Sequence, residues 1–146
     1  MSRGTGRAGS RALLAVFGPS VPLLLLLLVY YRFEGVGHFF VHTLMGWDLA
    51  LVLLLGATYF GRSWSYADGL LPLALALYAL TPDFIYMAGP PHRDWMDIFL
   101  FHVALDEILP ISVSALAILW VGLLVGYVQF RAGGVSFGVS GQMRTD

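Results

Sequence analysis

Four long apolar stretches, separated by short polar connections, dominate the pattern of the chain. They run from Ala12 to Tyr31, from about His38 to Phe60, from Leu70 to about Ala88, and from about Met96 to Phe130. A helix needs about 20 residues to cross the hydrocarbon core of a bilayer. The pattern therefore predicts an all-α, polytopic membrane protein whose four transmembrane helices form a bundle surrounded by lipid.

The ends of the chain differ in composition from this apolar region. Residues 1–11 are rich in Gly, Ser and Arg, which predicts a disordered basic N-terminal tail, and the Gly- and Ser-rich residues 131–146 predict a flexible C-terminal tail. Residues 12–130 form the transmembrane domain between them. Proline removes a hydrogen bond from a helix interior. We therefore expect the last helix to be long and kinked near Pro110, the alternative being an amphipathic segment that re-enters the bundle.

Composition narrows the class of protein further. The chain is 58% hydrophobic and only 12% charged, whereas a soluble domain has about 25% charged residues. A water-soluble enzyme is therefore not expected. The net charge of −1 and the lack of a basic stripe exclude a nucleic-acid partner. The chain contains no cysteine, so disulfides and thiolate ligands are excluded as well.

The arginines indicate the orientation of the predicted spans. Six belong to the two tails and the second connection, and two belong to the first and third connections (Arg3, Arg7, Arg11, Arg62, Arg131 and Arg144, against Arg32 and Arg93). Basic residues concentrate on the cytoplasmic side of membrane proteins. The pattern predicts a multi-pass protein of the cell membrane with both termini in the cytoplasm.

Ionisable residues gather at the predicted outer ends of the spans. His38 and His42 lie one helical turn apart, as do His102 and Asp106, and Asp83 ends the third span. Each such residue costs about 2.5–3.5 kcal/mol in hydrocarbon, so we expect these side chains to face one another. Imidazole and carboxylate ligands suit a divalent metal, zinc first and manganese or iron as alternatives.

The four proposed metal ligands are His38, His42, Asp83 and His102. Less specific roles stay open for two of them, His38 and Asp83. His38 lies where a polar side chain can reach the membrane surface. Asp83 follows a proline at a helix end, where an aspartate can cap free backbone groups. His42 and His102 lie deeper, which favours an internal role.

Short motifs in this region resemble a known family. They are His42-Thr-Leu-Met-Gly46 at the start of a span, Pro82-Asp83 at the end of the next span, His92-Arg93, and the later His102. This pattern resembles the small inner-membrane proteins predicted to be metal-dependent hydrolases, over about Gly37 to Asp106. The resemblance implies that His42, Asp83, His92 and His102 are ligands or catalytic residues.

The leading hypothesis is a metal-dependent hydrolase that acts on a lipid or lipid-linked substrate at the outer membrane surface. In it, Asp106 orients His102 or acts as a general base, and His92 acts as a general acid. One alternative is a redox or sensor subunit in which His42 and His102 bind haem. Another is a non-catalytic subunit that conducts protons or ions, or that assembles with unidentified partners.

Overall fold

The computed structural model describes residues 13–14, 16–31, 36–60, 69–91 and 93–133. All regular structure in these ranges is helical and they contain no strand, which confirms the all-α prediction. We number the α-helices α1 (Val21–Tyr31), α2 (Val36–Tyr59), α3 (Leu70–Ala79), α4 (Thr81–Met87), α5 (His102–Glu107) and α6 (Leu109–Gly133). Two 3₁₀ turns span Gly18–Ser20 and Asp94–Ile98. The predicted N-terminal tail lies outside the described residues, as does the C-terminal tail beyond residue 133.

Two of these helices are long and apolar enough to cross a membrane, over Gly37–Tyr59 and Leu109–Phe130. A third crossing is possible if α3 and α4, which meet at a bend of 48°, count as one broken span. The first predicted stretch is divided in the structure, because helical residues 13–14 and 16–17 lead into the 3₁₀ turn Gly18–Ser20 and the eleven-residue α1 follows. A bundle of four spans therefore stays a prediction.

The bend between α3 and α4 follows from the sequence Thr81-Pro82. Proline lacks the N–H that continues a helix, and its ring clashes with the carbonyl one turn earlier. Leu80 takes the dihedral angles −87° and 0° at the junction, and α4 restarts with Pro82 in its first turn. The bend turns the buried Asp83 towards α2.

The prediction of one long last helix kinked near Pro110 is wrong. The chain instead forms the second 3₁₀ turn, then Leu100 and Phe101 with φ of 59° and 60°, then α5. Helix α6 begins only at Leu109, so Pro110 lies in its first turn, where a missing N–H is tolerated. The observed arrangement is a separate segment ahead of the last helix.

Helix α2 is central and packs along both α3 and α6. On the α6 side, Val41 and Leu44 pack with Leu116 in a buried apolar cluster. On the α3 side, Gly46 lies directly against backbone, because a Cβ placed there would be 2.7 Å from the carbonyl of Leu75. This close approach sets the separation of α2 and α3 one turn after His42.

Candidate metal centre

Five ionisable side chains from three separate helices meet near the start of α2. We call them the His/Asp cluster: His38 and His42 of α2, Asp83 of α4, and His102 and Asp106 of α5. Three of them are buried within the chain, namely His42, Asp83 and His102. His38 and Asp106 are each exposed over about a quarter of the side chain, so the cluster is reached from their side.

The four residues that the sequence suggests as metal ligands converge in the structure. One ligand atom from each of His38, His42, Asp83 and His102 lies within 4.8 Å of the others. Ligand atoms on a tetrahedral zinc are about 3.3 Å apart, given bonds of about 2.0–2.1 Å. The group could therefore hold a metal ion once its ligand atoms move closer together.

His102 is oriented by a backbone contact that suits a metal ligand. Its Nδ1–H donates a hydrogen bond to the carbonyl oxygen of Ala79, 3.2 Å away. In the neutral ring this contact leaves the lone pair on Nε2, which lies 3.9 Å from Oδ1 of Asp83 and 3.8 Å from Oδ2 of Asp106. Metal-bound histidines commonly fix their tautomer by such a second hydrogen bond.

His38 joins the two carboxylates of the cluster. Its Nε2 lies 2.6 Å from Oδ1 of Asp83, and its Nδ1 lies 2.8 Å from Oδ1 of Asp106. Ionised carboxylates only accept hydrogen bonds, so both contacts require a proton on each ring nitrogen or on a facing carboxyl group. A metal ion bound here would replace at least one of these protons.

Asp106 contacts two histidines on α2 rather than acting through His102 alone. Besides its contact with His38, its Oδ1 lies 3.1 Å from Nε2 of His42. Asp106 thus links the two helices at the exposed side of the cluster. This position fits either role proposed for it, orientation of a histidine or acceptance of a proton.

Buried polar atoms of the cluster include some without a hydrogen-bond partner among the described residues. Nδ1 of His42 and Oδ2 of Asp83 are of this kind. Buried polar atoms normally have a partner, because leaving one without a partner costs about 1–3 kcal/mol. A cation in the cluster would satisfy atoms of this kind, so the donor set fits a metal.

The ring geometry does not fit the haem alternative. His42 and His102 stack face to face, with ring centroids 3.7 Å apart and planes 16° from parallel. Two axial ligands must instead point end-on at the iron from opposite faces of a porphyrin. Two carboxylates close to these rings make the site less suitable still.

Other features of the centre are not visible in the residue pattern. The Ala79 carbonyl that orients His102 is a backbone group, which a search for ligand side chains overlooks. Asp97 caps α5 from outside, because its Oδ1 accepts the N–H of Ala104. The glycine of the His42-x-x-x-Gly46 motif was a usable signal for close helix packing.

His92, the predicted general acid, lies outside the described residues.

Comparison of the chain with models of protein families, with curated proteins and with solved structures finds no match. The interpretation of the cluster therefore depends on its geometry and its chemistry.

Proposed function

We propose that the chain is an integral membrane protein whose His/Asp cluster binds a divalent metal ion and hydrolyses a membrane-associated substrate. The observation that carries this proposal is the convergence of three imidazoles and one carboxylate within 4.8 Å. Three imidazoles with a carboxylate form a donor set typical of zinc, and one that manganese or iron can also use.

The ends of the candidate spans support a location at a membrane surface. His38 is the second residue of the span Gly37–Tyr59, and Asp106 stands three residues before the span Leu109–Phe130. Both spans thus begin at the cluster, and the bent pair α3–α4 reaches it at its far end. The distribution of arginines favours the outer surface of the cell membrane, with both termini in the cytoplasm.

In this function, the residues of the chain divide into ligands and groups that handle protons. His42, Asp83, His102 and His38 would hold the ion, which when bound would supply Lewis-acid chemistry for the attack of water. His102 is held in the required tautomer by Ala79. Asp106 is partly exposed and lies against both histidines of α2, where it can accept a proton from a water that enters the site.

The nature of the substrate follows from where the cluster lies. A site at the level where the spans begin meets lipid headgroups and lipid-linked molecules more readily than soluble metabolites. The resemblance of the His42, Pro82-Asp83 and His92-Arg93 motifs to small inner-membrane proteins predicted to be metal-dependent hydrolases bears on the reaction and not on the substrate. We therefore propose a lipid or lipid-linked phosphoester, with His92 as the proton donor to the leaving group.

Metal content and hydrolysis, measured together, test the proposal. The protein would be purified into lipid nanodiscs with zinc present, and its metal content measured by elemental mass spectrometry. We expect stoichiometric metal in the wild type, loss of the metal in His102→Ala and Asp83→Asn, and retention in the control Asp94→Asn, whose carboxylate is exposed outside the cluster. A wild-type protein without metal would contradict the proposed site.

Hydrolysis would be followed in the same samples with bis(para-nitrophenyl) phosphate and with a fluorogenic phospholipid. We expect turnover of at least the phospholipid, abolished by His102→Ala and by Asp106→Asn. Asp106→Asn should lose turnover yet keep most of the metal, since Asp106 is not one of the four ligands. A protein that binds metal but hydrolyses neither compound would overturn the proposed reaction.

One observation favours a proton relay as the second candidate function. Asp83, His38, Asp106 and His42 form a continuous series of contacts of 2.6, 2.8 and 3.1 Å. Such series of carboxylates and imidazoles carry protons in membrane proteins. This function predicts proton flux into proteoliposomes that Asp106→Asn abolishes, in a protein that contains no metal.

A further inference from the structure

The four proposed metal ligands differ in how far solvent reaches them. The side chains of His42 and His102 are fully buried, and that of Asp83 is 4% exposed. The side chain of His38, in contrast, is 25% exposed. Next to it, a Cβ added at Gly37 would meet no described residue within 4 Å, so there is space at this end of α2. His38 is therefore the ligand that a molecule arriving from outside meets first.

The number of ligands bears directly on the proposed reaction. Structural zinc sites have four protein ligands and are closed, whereas catalytic zinc sites have three and leave the fourth position to water or substrate. The His/Asp cluster offers four ligands, namely His38, His42, Asp83 and His102. Hydrolysis at this site therefore requires that one of the four gives up its position.

The ring contacts indicate which ligand can leave. His42 and His102 stack face to face, with centroids 3.7 Å apart, and the carbonyl of Ala79 accepts a hydrogen bond from His102. His38 meets the same two rings edge-on, with its plane 78° and 84° from theirs. It also stands third in α2, which begins at Val36. The ring of His38 can thus turn outward while the stacked pair stays in place.

We propose that His38 is a displaceable ligand, which completes the metal site at rest and yields its position to water or to the phosphoester substrate. His42, Asp83 and His102 remain as the three permanent ligands. This inference rests on the proposed function, and it adds the position at which the substrate enters the site.

Asp106 stands beside the position that His38 would vacate. Its Oδ1 lies 2.8 Å from Nδ1 of His38. A water that takes the place of this ring therefore comes within hydrogen-bond distance of the carboxylate that we propose as the proton acceptor. Departure of the fully buried His102 would instead open a position enclosed by the chain. The geometry thus favours His38 as the ligand that exchanges.

Cobalt(II) in place of zinc makes the exchange measurable. Zinc(II) has a filled d shell, whereas the visible absorption of cobalt(II) changes with the number and kind of its ligands. In nanodiscs with one equivalent of cobalt, we expect His38→Ala to keep the metal and to show an altered spectrum. His42→Ala and His102→Ala are the matched controls, since they remove the same ring from buried positions, and both should lose the metal.

Added imidazole tests whether the altered spectrum reports an open position. Imidazole should restore the wild-type spectrum of His38→Ala. It should do so at a concentration at least about tenfold below that at which it changes the wild type, because the tethered His38 competes for the position at a high effective concentration.

His38→Asn is a second variant that preserves a different part of the ring. The asparagine amide stands near the place of Nδ1, so it can keep the contact with Asp106, but it lacks Nε2, which faces Asp83. We expect it to behave as His38→Ala does. Loss of cobalt in both His38 variants would overturn the proposal, because His38 would then be as necessary as the buried ligands. A wild-type spectrum in both variants, unaffected by imidazole, would overturn it as well, because His38 would then not be a ligand.

Two outcomes separate this inference from the proposed function. If the wild type binds no cobalt, the proposed metal site fails and the inference fails with it. If the protein binds cobalt and His38→Ala exchanges imidazole, the inference is supported even when neither substrate is hydrolysed, because the spectrum reports coordination and not turnover.

Discussion

Replacing Gly46 with alanine should weaken metal binding from outside the cluster. Gly46 stands one helical turn after His42 on α2 and lies against the backbone of α3 at Leu75 and Ala76. A Cβ at this position would be 2.7 Å from three backbone atoms, about 0.7 Å short of the 3.4 Å at which ordinary contact begins. Backbone cannot rotate away as a side chain can, so α2 and α3 must separate.

Separating α2 and α3 should also displace a metal ligand, because α3 continues through the bend at Leu80 into α4, which carries Asp83. Finished metal–ligand distances must fit within about 0.2 Å, so the side chain of Asp83 would have to strain further to reach the ion from its displaced helix. Substitutions that misplace a ligand without removing it typically reduce metal affinity by about 10–100-fold. We expect a loss of zinc affinity in that range for Gly46→Ala.

The control is Gly56→Ala on the same helix, where an added Cβ meets nothing within 4 Å. Alanine is favoured over glycine in a helix by about 1 kcal/mol, so Gly56→Ala should be neutral or stabilising. Gly46→Ala has the same favourable change in helix propensity, but the clash should lower its free energy of unfolding by about 1–3 kcal/mol. The difference in stability between the two variants therefore isolates the clash.

The assay would be calorimetric titration of zinc into each variant in nanodiscs, with thermal unfolding followed by circular dichroism. Equal zinc affinity in Gly46→Ala, Gly56→Ala and the wild type would refute the reasoning that helix spacing positions Asp83. A Gly46→Ala protein that loses stability but keeps its affinity would show that the cluster adapts to the displacement.

Three further results are expected. Zinc at about 100 times its dissociation constant should raise the free energy of unfolding of the wild type by about 2.7 kcal/mol. His42→Ala should show no such increase, and an equal increase in both proteins would mean that the ion binds elsewhere. Asp48→Leu should raise the free energy of unfolding by about 1–3 kcal/mol, because neither buried carboxylate oxygen of Asp48 has a hydrogen-bond partner among the described residues. A decrease in that free energy would reveal a partner for the carboxylate. Leu100→Gly should stabilise the chain by about 1 kcal/mol by relieving its left-handed backbone, and destabilisation would show that packing of the leucine outweighs this strain.

The cluster could be predicted from the sequence because helical spacing and membrane energetics act together. His38 and His42, like His102 and Asp106, stand four residues apart, which fixes them on one face of a helix before any tertiary contact is known. The high cost of a charge in hydrocarbon then favours their convergence. The structure brings the four expected ligands together, and it also brings Asp106 into contact with both histidines of α2.

The path of the chain between Asp94 and Leu109 could not be predicted in the same way. Left-handed backbone usually occurs at glycine or asparagine, whereas here Leu100 and Phe101 adopt it. Tertiary contacts hold this turn. Asp97 accepts the N–H of Ala104, and the Tyr78 hydroxyl donates to the carbonyl of Ile98. Neither contact follows from the local pattern of apolar residues, which reads as a continuation of the last helix.

X-ray absorption at the zinc edge of the protein with one equivalent of zinc tests the central claim most directly. The account predicts a four-coordinate shell of nitrogen and oxygen at about 2.0–2.1 Å. Strong multiple scattering from several imidazoles should accompany it and diminish in His102→Ala. A shell made of oxygen alone, or a spectrum that His102→Ala leaves unchanged, would contradict binding of the ion by His38, His42, Asp83 and His102.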